Sequence, residues 1–344
     1  MKKHVNIPIF IPHLGCPNQC VFCNQRTISG RNCFDLSTVN SEIEAALQTI
    51  DPSVDAEIAF FGGSFTGIDR ALMTALLEIA YKYVRDGRVS SIRCSTRPDY
   101  IDDEILSILS EYGVRTIELG LQSSSDRVLS VTKRGHTRAQ EEYACRMIVE
   151  RGFNLVGQMM IGLPDSTLDD EIKTAENIVA WGAKAARIYP TVVFKDTELS
   201  SMTLAGDYSP ITEDDAVYRS AKVLDVFVKA GVDVIRIGLC AQDALFDSEK
   251  YCAGPNHPAL GELIVGEYYY DRFAEAVSRF SENDATPGGS ITIFVARGKL
   301  SQALGQKRKN AERLIERFDR FAFKFKERDD LSQYKFDIYY ERKY

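Results

Sequence analysis

No run of apolar residues in this 344-residue chain approaches the ~18 that a membrane-spanning helix needs. The opening Met1-Lys2-Lys3-His4-Val5-Asn6 also lacks the apolar stretch of a secretory signal. The expectation is therefore a cytoplasmic protein with no membrane attachment. Glycine and proline are modest, at 23 and 11 positions, and no segment is of low complexity, which excludes a collagenous or disordered chain. Cysteine is present but unevenly placed: after Cys16, Cys20 and Cys23, the remaining Cys33, Cys94, Cys145, Cys240 and Cys252 are scattered singly. Paired zinc fingers and a second metal cluster near the C-terminus are thereby disfavoured, and one site is concentrated near the N-terminus.

What is there is an ordinary globular balance, 44% hydrophobic and 26% charged, in a chain long enough for one large α/β domain with an appendage. The net charge of −7 is uneven. From Arg297 to Tyr344 there are 14 Lys or Arg against 8 Asp or Glu, a net of +6 that leaves −13 for the rest. A basic tail on an acidic body can meet a polyanion, and it can equally be a solvated helical face.

Strand-like runs at 5–11, 57–61, 92–95, 116–121, 154–161 and 186–193 alternate with amphipathic helical stretches at 41–50, 70–84, 102–112, 137–151 and 167–181. Such β-α repeats predict a parallel sheet, because each crossover helix returns the chain to start the next strand in the same direction. A helix at 213–230 and a seventh strand at 234–239 follow. Polar residues gather after the strands, as Gly62-Gly63-Ser64, Ser95-Thr96-Arg97, Gln122-Ser123 and Gly162-Leu163-Pro164. That is where α/β barrels and doubly wound sheets place their sites. Beyond residue 240 the repeat is lost: a loop at 250–258, a helix at 259–280, a strand at 290–296, a basic helix at 306–318 and an alternating strand at 321–326. The predicted organisation is a parallel α/β domain over 1–240, its sheet open or curled into a barrel, and a small, basic α+β domain over 241–344.

Three residues separate Cys16 from Cys20, and two separate Cys20 from Cys23. Three thiolates on a loop after the first strand can hold three corners of a four-iron cluster and leave one iron open. Spacing also allows zinc, completed by Cys33 or His13.

With these cysteines in place the sequence resembles the radical S-adenosylmethionine (radical SAM) enzymes. The resemblance implies a partial (β/α)6 TIM-like barrel, a [4Fe-4S] cluster on Cys16, Cys20 and Cys23, and S-adenosyl-L-methionine chelated at the fourth iron. It further implies a low-potential electron donor and reductive cleavage to a 5′-deoxyadenosyl radical. Residue by residue, Phe22 resembles the aromatic residue beside the adenine. Gly62, Gly63 and Ser64 resemble the glycine motif that meets the methionine amine. Ser95, Gln122 and Gln158 resemble polar residues aimed at the cofactor, and Arg134 an arginine that reaches its carboxylate. No residue acting on the substrate is assigned.

Longer stretches resemble the Elongator catalytic subunit: Phe60-Phe61-Gly62-Gly63-Ser64-Phe65-Thr66, Ser95-Thr96-Arg97-Pro98-Asp99, Glu118-Leu119-Gly120-Leu121-Gln122-Ser123, Arg187-Ile188-Tyr189-Pro190-Thr191 and Ala253-Gly254-Pro255-Asn256-His257-Pro258-Ala259. Two departures matter. That subunit has a wider cysteine spacing and a C-terminal acetyltransferase domain, for which the ~100 residues after the barrel leave too little chain. The resemblance implies transfer RNA as substrate, with Lys307-Arg308-Lys309 and the basic residues after it as the contact. A tetrapyrrole or other small metabolite is the alternative substrate, and a zinc-stabilised, non-catalytic RNA-binding module the alternative class. Core packing is expected of Tyr268-Tyr269-Tyr270, and structural hydrogen bonding of His136 and His257.

Overall fold

The computed structural model describes residues 4–11, 16, 20–24, 34–239, 243–283 and 289–342. Seven parallel strands form one curled sheet: β1 (His4–Phe10), β2 (Asp55–Phe61), β3 (Ser91–Thr96), β4 (Val114–Gln122), β5 (Asn154–Ile161), β6 (Ala185–Pro190) and β8 (Asp233–Ile237), hydrogen-bonded in that order. The sheet is a half-barrel. It is open between β1 and β8, so the parallel sheet expected from the repeats takes the partial-barrel form that the resemblance implied.

Alternation along each strand builds two different faces. The outer face is apolar, with Ile7, Ile9, Ile58, Phe60, Ile92, Ile117, Leu119, Leu155 and Ile188 buried against the crossover helices. These are α1 (Val39–Thr49), α2 (Arg70–Arg85), α3 (Asp103–Glu111), α4 (Asp126–Val131), α5 (Arg138–Glu150) and α6 (Leu168–Ala180). The inner face is polar. One layer pairs Glu57 with Arg93 at 3.2 Å and Glu118 with Arg187 at 3.0 Å, each side chain nearly or fully buried. Desolvation raises the Glu118 carboxyl above its ordinary value, opposed by Arg187 and Arg93.

The run expected as one strand over 186–193 divides. β6 ends at Pro190, Thr191 bonds back to Ile161 O through both its N–H and its hydroxyl, and a short β7 (Val193–Phe194) pairs antiparallel with β9 (Tyr251–Ala253). Between them lie α7 (Glu198–Ala205), α8 (Glu213–Ala230) and α9 (Asp243–Phe246).

A long helix, α10 (Leu260–Asn283), lies against α8, tied by Lys222 to Asp271 at 2.7 Å. Its other flank meets a three-stranded sheet in which β10 (Gly289–Ala296) is parallel to β11 (Phe321–Arg328) and antiparallel to β12 (Phe336–Arg342). Phe273 packs rings with Phe325 and Phe336, so one apolar core runs from the half-barrel into the small sheet. Tyr268, Tyr269 and Tyr270 are all buried there, as expected of the triplet. The basic helix expected over 306–318 begins later. After α11 (Leu300–Leu304), Lys307 and Arg308 both take positive φ in a 3-10 turn, and α12 spans Lys309–Arg317.

Candidate active site

The site lies at the C-terminal ends of β1 to β5, where each strand hands its chain to a loop. Gly62, directly after β2, has φ +101°, and a Cβ there would come within 3.1 Å of Ile11 N. Only glycine lets this turn press against the segment that leads into the cysteines. The Ser64 backbone N–H donates to the Cys16 thiol, so the Gly62-Gly63-Ser64 turn meets the first cysteine. Desolvation raises that thiol, opposed by Arg97, the Ser64 N–H and Arg134. The Ser64 hydroxyl bonds Thr96 at the end of β3.

Cys20 and Cys23 form a turn, Cys23 N to Cys20 O at 3.0 Å, anchored by Val21 to Thr132 O and by Leu199 N to Val21 O. Two guanidinium groups converge on buried Cys20: Arg134 Nη1 lies 3.1 Å from its Sγ and Arg97 Nη1 3.9 Å. Arg134 Nη2 donates to Gly120 O, while its Nε is buried with no hydrogen-bond partner. Gln122, at φ +73°, and Gln158 exchange reciprocal amide bonds of 2.7 and 2.8 Å. Gly120 ties these together, since a Cβ there would lie 2.9 Å from Gln122 Nε2 and 3.6 Å from both Arg134 Nη2 and Gln158 Oε1.

The fit to an anionic metal cluster and a carboxylate-bearing cofactor rests on this donor set. A neutral buried thiol has no use for two arginines, whereas a thiolate cluster does, and the orphaned Arg134 Nε is a charged donor still wanting an acceptor. Among the described residues no three cysteine, histidine or carboxylate groups converge as ligands of one ion. Cys33 and His13, the completions considered for zinc, lie outside the described residues, as does Cys240. Cys94 and Cys145 are buried on the helix side, and desolvation pushes the Cys94 thiol up to about 12.

Of the other expected residues, Phe22 packs against the apolar cluster of Val21, Val193, Leu199 and Tyr208. Ser95 stands on the inner face in register with Glu118, apart from the Gln122–Gln158 pair.

Behind Arg97 and Arg134, His136 takes the structural hydrogen-bonding role expected of it, with partners, Asp99 and Glu141, that sequence reading left unassigned. Arg97 grips Asp99 with two bonds of 2.9 and 3.0 Å. Asp99 lies 3.7 Å from His136 Nδ1, and His136 Nε2 lies 3.0 Å from Glu141 Oε1. Burial and the nearby arginines push His136 down to about 3, and burial raises Glu141 well above the carboxylate range. Both shifts favour the uncharged forms of the pair. A second support holds the loop after β5. Glu171 accepts the Gly162 N–H at 2.6 Å and two bonds from Arg219, while Tyr208 donates to Gly162 O at 2.6 Å.

With that geometry established, residues 10–178 match the radical SAM superfamily and residues 183–270 the radical SAM C-terminal domain. The chain belongs to the radical SAM superfamily. The superfamily's cofactors, a [4Fe-4S] cluster and S-adenosyl-L-methionine, are thus this protein's. The chain is 25% identical over 243 residues to a tRNA uridine(34) acetyltransferase of Methanocaldococcus jannaschii, covering 59% of this chain and 45% of that one. It is 25% identical over 254 residues to Elongator complex protein 3 of Homo sapiens, covering 62% and 46%. It thus spans less than half the length of these two relatives. The structure of the archaeal Elp3 of Methanocaldococcus infernus superposes with a TM-score of 0.62 at 19% identity, over 80% of this chain and 64% of that one, which shows a shared fold. Within the superfamily the chain is Elongator-like.

Proposed function

We propose that this radical SAM enzyme directs a 5′-deoxyadenosyl radical at transfer RNA. The observation that carries the cofactor half of the reading is the convergence of Gly120, Gln122, Arg134 and Gln158 beside Cys20. When bound, the cluster and S-adenosyl-L-methionine supply a radical able to take hydrogen from an unactivated carbon.

In this reading Cys16, Cys20 and Cys23 hold the cluster, and Arg134 offers its Nε to the cofactor carboxylate as a planar, permanently charged donor. Gly62, Gly63 and Ser64 give backbone contact to the methionine amine. Gln122 and Gln158 open their mutual pair towards the sugar and base, Ser95 contributes a hydroxyl from below, and Phe22 covers the adenine. Transfer RNA as substrate draws on the names of the two curated relatives and on the exposed Lys307, Arg308 and Lys309. We also place the domain division at 240/241, the work in the cytoplasm, and the electron in the hands of a low-potential donor protein.

Two measurements test this. Anaerobically reconstituted protein should cleave S-adenosyl-L-methionine to 5′-deoxyadenosine under dithionite, and Cys20→Ala should abolish the activity. A Cys20→Ala protein that still cleaves removes the cluster assignment. Nucleoside mass spectrometry of transfer RNA from cells with and without the protein should show one modified nucleoside lost. Identical profiles would overturn the RNA substrate and favour a small metabolite.

A further inference from the structure

The open side of the half-barrel is bordered by β8, the last strand of the sheet, and a cavity of about 400 Å³ lies along it. Arg236, Asn256 and His257 line this cavity with Leu239, Phe246 and Glu262. The loop that brings Asn256 and His257 there is the Gly254 to Pro258 stretch, to which the radical site gives no role. Its position is fixed. Gly254, at φ +101°, presses on Thr191 O, which a Cβ would approach to 2.9 Å, and Tyr251 donates to Gly254 O at 2.6 Å.

Three features of the lining want a ligand. Arg236 belongs to the inner charged layer in which Glu57 is matched by Arg93 and Glu118 by Arg187. It is the surplus cation: its Nε donates to Gly238 O at 3.3 Å, and among the described residues no carboxylate forms an ion pair with it. His257 Nδ1 accepts the Ala259 N–H at 3.0 Å, which places the proton of the neutral ring on Nε2 as a fixed donor. Asn256 Oδ1 is buried without a partner. The acid of the lining, Glu262, is engaged with Gln302 at 2.9 Å. Around these stand apolar walls, with the Phe246 side chain 53% exposed.

A cavity of this size is in the range that holds one small organic ligand. A permanent cation and an N–H donor ask for an anionic group, and an unpartnered amide oxygen asks for an N–H. An exposed aromatic ring offers a stacking face. A single nucleotide carries all three complements. The loop leaves β9, whose Cys252 and Ala253 pack, as does Phe22 of the cysteine turn, against the apolar cluster of Val21, Val193, Leu199 and Tyr208, so one cluster joins the loop to the radical site.

We infer that this cavity is the subsite for one unstacked nucleotide of the substrate, its phosphate held by Arg236 and His257 and its base edge by Asn256. The inference rests on the RNA reading above and says where the reacting nucleotide enters. Extrusion of a base into a pocket is how enzymes reach atoms that stacking hides.

The test is calorimetric titration of the full chain with uridine 5′-monophosphate, uridine and inorganic phosphate. The nucleotide should bind more tightly than either fragment. Arg236→Gln should weaken it about tenfold or more, the loss of a charge-assisted hydrogen bond, and leave uridine unchanged. Arg236→Lys should restore part of the loss, and His257→Gln, which keeps a donor, should bind better than His257→Ala. Thermal melting confirms that each variant is folded, and the lysine and glutamine variants carry the comparison should Arg236→Gln not fold. Nucleotide binding no tighter than phosphate, or equal in all variants, overturns the subsite. Its failure is separable from that of the RNA reading: unaltered binding with a lost nucleoside in cells sinks the subsite alone, and the predicted binding pattern with unchanged nucleosides sinks transfer RNA alone.

Discussion

Arg134 does what no other cation could do at its position. Its fork reaches Cys20 with one nitrogen and Gly120 O with another, and still leaves Nε for a guest. A lysine has a single point of charge and cannot span these directions. Arg134→Gln should therefore still assemble the cluster, with unchanged visible absorption, but lose most reductive cleavage. Removing a positive charge beside the cluster disfavours the added electron, so the midpoint potential, followed by electron paramagnetic resonance, should fall by roughly tens of millivolts. An unchanged potential would place the guanidinium elsewhere in the loaded enzyme.

Glu141 and His136 show the same residue-scale logic in titration. Burial raises Glu141 above its ordinary 4.5, so the folded state holds a proton that the unfolded state releases. That contribution to stability is complete below the unfolded value and is lost as pH rises towards the folded one. His136, pushed down to about 3, has the opposite sign: it favours folding above its ordinary 6.5 and loses that contribution as pH falls from there. Glu141→Gln keeps a donor to His136 Nε2 and removes the acid's titration. Its unfolding free energy, followed through the melting temperature, should gain on the wild type as pH rises from 5 to 8, by about 1.4 kcal/mol for each unit of the Glu141 shift that is crossed. Parallel melting curves across that range would show that Glu141 does not titrate as argued.

At the scale of elements, loops are held from behind by groups distant in sequence. Gly162 is fixed between Glu171 and Tyr208, and its φ of +77° combines with a tight fit, since a Cβ would lie 2.6 Å from the Ile211 side chain. Gly162→Ala should destabilise the fold by about 1–3 kcal/mol in denaturant titration. Adding Ile211→Ala should recover part of the loss, because space opens while the backbone strain stays. If the double substitution is as unstable as the sum of the two, crowding is not the cause.

This contrast explains what the sequence disclosed. The strands were legible because one residue in two faces an apolar helix layer, and the turns because Gly62-Gly63-Ser64 and Gly162-Leu163-Pro164 sit where strands end. The cofactor candidates were legible for the same reason. The break at Pro190 was not, because Val192 and Val193 carry the β-branched run on past it, while Thr191 turns the chain by bonding to Ile161 across the sheet. β12 was hidden by its exposed polar positions, and the turn at Lys307 and Arg308 by residues that rarely take positive φ. Glu141, and Glu171 with Arg219 48 positions away, carry no local pattern: a charged residue on an amphipathic helix reads as solvent-facing until the fold buries it.

The whole molecule sets a basic end against an acidic body, but not every basic residue of that end is available. Arg313 is committed to the fold, bonded to Glu267 at 3.0 Å and stacked 3.4 Å over Tyr270, and buried Asn310 ties α12 to Gly266 O. Lys324 and Lys326 stand outward between inward-facing Phe321, Phe323 and Phe325, and Lys307, Arg308 and Lys309 are exposed at a turn. The surface open to phosphate is thus narrower than the residue count suggested, and charge reversal should separate the two groups. Lys307→Glu with Arg308→Glu should weaken transfer RNA binding across sequences and flatten its dependence on log salt by about 2, without shifting the melting temperature. Arg313→Glu should instead lower the melting temperature, since it sets two acids face to face at Glu267. If the double reversal leaves both affinity and salt slope unchanged, the RNA lies along the half-barrel opening and the basic turn has no part in holding it.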